Sequence, residues 1–125
     1  MQQVLQTPVT KTAPFNGTPF DVSAANSFWI RLHVRTLTPA SAALLQLQHC
    51  PDTTAETPVW TAAAAWQIAG QVDDLQTRTI HTRDLQLTAQ TILGQTHGAI
   101  RLSLAAINQD AETPAPSIQY AAWLE

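Results

Sequence analysis

Residues 26–38, NSFWIRLHVRTLT, alternate with a period of two. Phe28, Ile30, Leu32 and Val34 fall on one side, and Trp29, Arg31, His33 and Arg35 on the other. Successive side chains of a strand point to opposite faces, so this pattern writes a core face and a surface face into one element. The surface face carries an indole, two guanidinium groups and an imidazole, which suits a contact surface better than plain solvent coating.

The rest of the chain repeats the theme in shorter pieces. Residues 1–18 read as an extended N-terminal arm: Pro8 and Pro14 discourage helix, and Thr7, Thr10 and Thr12 favour an extended backbone. Asn16-Gly17 signals a turn, followed by an extended piece around Phe20 and Val22. After the turn at Pro39-Ala40-Ser41, Ala43, Leu45, Leu47 and His49 alternate with Leu44, Gln46, Gln48 and Cys50, a strand expected to be the hairpin partner of residues 26–38. Residues 51–58, PDTTAETP, form a polar loop. In residues 59–70, VWTAAAAWQIAG, the four alanines favour helix, and a short strand at Val59-Trp60 followed by a loop or helical turn is expected. Strands are expected at residues 77–82 and 85–93, then through Ile100, Leu102 and Leu104, and finally through Ile118, Tyr120, Ala122 and Leu124, with a loop at residues 108–116 before the last. Short strands, polar turns and no long helix predict an all-β chain: an antiparallel β-sandwich, jelly-roll-like, with residues 1–18 as the arm and residues 19–125 as a single domain.

Composition narrows the role. Charged residues make up 12% of the chain, about half the usual share, while 45% are hydrophobic. Such a chain folds, and its thinly charged surface suits a subunit covered by neighbours. A formal net charge of −3 argues against a dedicated nucleic-acid binder. No apolar run approaches the roughly 18 residues of a membrane span. The start, MQQVLQTPVTKTAPF, lacks the basic and apolar regions of a secretion signal. Cys50 is the single cysteine, so no internal disulfide forms.

No catalytic, metal or cofactor set is expected. His33, His49, His81 and His97 stand singly, without HxH or HExxH spacing. His33 and His49 would be neighbours only if their strands paired. His49 and Cys50 are adjacent, so on a strand they face apart and cannot act as nucleophile and base. Asp84 follows His81 by three residues, but no nucleophile sits in an activating context. Nothing else in the chain is expected to converge on the Trp29 face. Trp29, Trp60, Trp66 and Trp123 admit two readings, a sugar-stacking platform or core and interface residues.

The order of parts resembles the small β-sandwich virion proteins of tailed bacteriophages. The arm is followed by FWIRLHVRTLT, then ALLQLQHCPDTT with its turn at Gln48-His49-Cys50-Pro51-Asp52, then PVWTAAAAWQIAG, GAIRLSLAAI and SIQYAAWLE. Cys50 departs from the small polar residue more usual in that turn. The resemblance implies head decoration: a non-enzymatic cement protein, made in the host cytoplasm, that sits on the capsid surface and clamps the major capsid protein, as a homotrimer. The arm would add a strand to a neighbour's sheet, and its deletion would leave the sandwich folded. The contact residues expected are Val4, Leu5 and Phe15 from residues 1–20, with Trp29, Arg31, His33 and Arg35. The alternative is a carbohydrate-binding module or a tail component for host adhesion.

Overall fold

A computed structural model describes residues 3–37, 42–70, 72, 74–85, 87, 92–108 and 116–125. Among the described residues nine strands follow in order: β1 (Gln3–Lys11), β2 (Phe15–Asn16), β3 (Phe20–Asp21), β4 (Trp29–Thr36), β5 (Ala42–Cys50), β6 (Thr61–Ala69), β7 (Gln76–His81), β8 (Ala99–Asn108) and β9 (Ile118–Leu124). They build two antiparallel sheets packed as a β-sandwich. Sheet A has the order β1-β9-β4-β7, and sheet B the order β2-β8-β5-β6 with β3 also on β8.

β2 and β3 are two pieces of one interrupted edge. Phe15 registers with Leu104 and Phe20 with Ile100, and between them the Gly17 N–H donates to the Leu102 carbonyl at 2.8 Å. Pro19, which has no N–H to give, sits in the gap. Gly17 is required there, because a Cβ would lie 2.7 Å from the Leu102 carbonyl oxygen. With β2 and β3 taken as one strand, the pairing is nested: β1 with β9, β2/β3 with β8, β4 with β7, β5 with β6. The contacts β4–β9 and β5–β8 then join these ribbons into the two sheets.

The alternation read from the sequence becomes the core. On β4, Ile30, Leu32 and Val34 are buried, and on β9 Ile118, Tyr120, Ala122 and Leu124. Sheet B answers with Leu45, Leu47, Ile100, Leu102 and Leu104. Each such Leu or Ile, taken fully out of water, contributes about 1.5–3 kcal/mol before entropy is counted. Thr36 and Thr82 are buried with their hydroxyls engaged. The Thr36 hydroxyl donates to the Gly70 carbonyl and accepts from the Val72 N–H, while the Thr82 hydroxyl accepts from the Phe28 N–H.

Several expectations are corrected. β5 is not the hairpin partner of β4: β4 belongs to sheet A and β5 to sheet B, where it pairs with β6 and β8. His33 and His49 therefore belong to different sheets. Residues 61–69 are a strand, not a helical turn. Ala64, Trp66 and Ile68 register with Leu47, Leu45 and Ala43, and this pairing outweighs the helix propensity of the alanines. The described part of residues 85–93 forms turns that insert Leu87 and Ile92 into the core. The stretch expected as an arm is extended, but it lies inside the sandwich. Gln3–Lys11 is an edge strand on β9, and Phe15–Asn16 pairs with β8. Most of the loop at 108–116 and the turn at 39–41 lie outside the described residues.

Candidate functional site

β4 is an inner strand of sheet A, so its outward side chains stand on a paired backbone at both edges. The register places partners beside them. Arg31 is flanked by Trp123 of β9 and Thr79 of β7, and Trp123 in turn by Val4 of β1. His33 lies between Ala121 and Thr77, Arg35 beside Gln119, and Trp29 beside His81. The Glu125 backbone continues the ladder, exchanging hydrogen bonds with Trp29 at 2.8 and 2.9 Å.

Side-chain contacts knit these rows. The Trp29 and His81 rings meet edge-on, with centroids 4.9 Å apart, and the His33 and Trp123 rings do so at 4.6 Å. The Arg31 guanidinium bonds the Glu125 carboxylate at 3.0 Å. Trp29, Arg31, Thr79 and Glu125 surround an open hollow of about 290 Å³. Trp29 is 49% exposed and Val4 48%. The Arg35 Nε is enclosed, with no hydrogen-bond partner among the described residues.

The strands of sheet A carry Lys11, Arg31, Arg35 and Arg78 and contain no Asp or Glu. The described carboxylates lie at strand ends and in loops, and two of them serve local turns. The Ser23 hydroxyl and N–H hold the Asp21 carboxyl below its ordinary range, and Thr54 does the same for Asp52. Lys11 and Arg78 register with the inward-facing Ile118 and Leu32, so the aromatic face carries Arg31, paired with Glu125, and Arg35.

The expected contact residues divide. Val4, Trp29, Arg31, His33 and Arg35 share the outer side of sheet A. Leu5 does not join them: it is 6% exposed and part of the core, because the inward positions of an edge strand are covered by the opposite sheet. Phe15 lies on sheet B, half-buried, with the Lys11 ammonium 4.0 Å over its ring. Against expectation, other side chains do converge on the Trp29 face, namely Trp123, His81, Thr79 and Glu125. Trp123 was readable as the outward residue of the last strand; that this strand lies beside β4 was not.

The four tryptophans do not form one platform. Trp29 and Trp123 belong to sheet A, while Trp66 packs against the core. Trp60 lies under the Arg101 guanidinium at 4.2 Å, beside sheet B, where Arg101 Nε also donates to Gln48 Oε1 at 2.7 Å. His49 and Cys50 are both buried at the end of β5. Among the described residues, no three His, Cys, Asp or Glu side chains gather as a ligand set for a metal, and no helix is long and apolar enough to cross a membrane. Compared with known proteins, the chain matches no family model and no curated sequence.

Proposed function

We propose that this protein is a non-enzymatic structural component of a tailed-phage virion, a decoration protein that binds the outer capsid lattice as a homotrimer and clamps its coat subunits. The observation that carries the reading is the outer face of sheet A. Tryptophan and arginine are the side chains that dominate binding energy when an interface covers them, and here they stand on an inner strand of a paired sheet around a shallow, open hollow. The nested strand order supports the finer architecture as well: a long antiparallel ribbon folded over on itself is the jelly roll, an architecture used by viral capsid domains and by lectins. With Leu5 in the core, the N-terminal segment contributes through Val4, which stands beside Trp123 on the outer side of sheet A. The guanidinium groups of Arg31 and Arg35 suit carboxylates on the coat protein.

A second reading has its own observation. Trp29 and Trp123 share one face with two guanidinium groups, which also suits pyranose rings and their acidic substituents. This supports a carbohydrate-binding or host-adhesion role.

Sedimentation with undecorated capsids separates the two. Trp29→Ala and Arg31→Ala are each expected to weaken capsid attachment at least about tenfold without lowering thermal stability. Raising the salt concentration should weaken attachment of the parent protein as the charges are screened. Unchanged attachment by both variants would remove the sheet A face from the proposal. Binding to glycans with no affinity for capsids would replace the proposal with the second reading.

A further inference from the structure

The sheet edges of this sandwich are not equivalent. β1 carries Pro8, Lys11 and two register irregularities. β2 and β3 make an edge broken around Pro19, and β7 is only six residues long and carries Arg78. Prolines, charges, bulges and short length are the devices that keep an edge from recruiting another strand. β6, at the far edge of sheet B, is the least guarded of these edges. Its nine residues, TAAAAWQIA, hold no charge and no proline. It carries one register irregularity to the two of β1: Ala63 is the extra residue against Leu47 and Gln48 of β5. Among the described residues β5 is its only strand partner. The far side of β6 therefore offers a row of backbone N–H and C=O groups shaped for a strand.

We infer that β6 pairs antiparallel with β6 of a second copy of this chain across a two-fold axis, joining two copies of sheet B into one continuous sheet. A two-fold contact requires a patch that tolerates itself. β6 does, since a neutral strand brings no like charges together, whereas β1 or β7 paired with itself would place two Lys11 or two Arg78 on one narrow ribbon. Side-chain size fits too. With the axis at Ala65, Trp66 of each copy stands opposite Ala64 of the other, and Gln67 opposite Ala63. Ala64 and Trp66 share the core-facing side, registered with Leu47 and Leu45, so the indole of one copy covers the small residue of the next. A lone strand pair buries less than the roughly 1,200 Å² of a stable interface, so the pairing is reversible and depends on concentration. It uses sheet B, away from the Trp29 face, and stands or falls independently of the capsid reading.

Cysteine cross-linking of the full chain tests it. Cys50 is buried, so a cysteine introduced at the exposed Ala65 reports alone. Under mild oxidation Ala65→Cys is expected to give a covalent dimer on a non-reducing denaturing gel, and Thr79→Cys on β7 to give none. In analytical ultracentrifugation, Ala65→Lys should abolish the concentration-dependent pairing of the parent while its melting temperature stays the same. An Ala65→Cys protein that remains uncoupled would overturn the inference. So would an Ala65→Lys protein that associates as the parent does.

Discussion

Two buried polar side chains bound the conditions this fold tolerates. His49 is 7% exposed, and its Nδ1 has no hydrogen-bond partner among the described residues. Burial therefore pushes its imidazole below the ordinary value of 6.5. As the pH falls below about 6.5, the unfolded chain binds a proton that the folded chain refuses, so stability drops with acid. Tyr120 acts at the other end: burial of its hydroxyl, which has no hydrogen-bond partner among the described residues, pushes it up to about 12 from 10.0. The folded chain then keeps a proton that the unfolded chain has lost, and stability falls as the pH rises above 10. His49→Leu should consequently flatten the acid side of the profile. The melting temperature of the parent is expected to fall more between pH 7.5 and 5 than that of His49→Leu, and equal losses would clear His49 of this role. The alternation that buries His49 was legible, since it shares a face with Leu45 and Leu47. The solitary state of its ring nitrogen was not, because that depends on everything packed around it.

At the level of elements, local pattern succeeded where it was strong and failed where pairing decides. β4, β5, β8 and β9 each follow from alternation alone. β6 did not, because four alanines carry no period and only the ladder with β5 makes them a strand. The start of the chain misled for a related reason: prolines and threonines announce extended backbone without saying what it pairs with. β1 is part of the sandwich, which reverses the consequence expected of its removal. Deleting residues 1–11 strips Leu5 from the core and bares the edge of β9. Loss of Leu5 alone is worth about 2–3 kcal/mol, and the truncated chain should melt early or fail to show near-ultraviolet circular dichroism. A truncated chain as stable as the parent would restore the arm as a separate appendage. The candidate face shows the same division: one strand of it was readable, and the tryptophan, histidine and threonine beside that strand come from elements brought alongside by non-local register.

For the molecule as a whole, each sheet has a separate character. Sheet A turns the exposed Trp29 and the half-buried Trp123 outward with Arg31 and Arg35, while sheet B ends in the neutral edge of β6.

The nested pairing also sets an order in time. Gln3 and Leu124 are neighbours in the sheet but lie at opposite ends of the chain, whereas β5 and β6 are separated only by residues 51–60. Closing the longest loop costs the most entropy and gains nothing until the inner ribbons exist. The sandwich is therefore expected to zip outward from the β5–β6 hairpin and to dock β1 last. Pulsed hydrogen exchange during refolding should protect the amides of β5 and β6 before those of β1, and simultaneous protection would contradict this order. Until that final step β9 stands open along its whole length, so a refolding chain passes through a sticky stage that the finished one no longer displays.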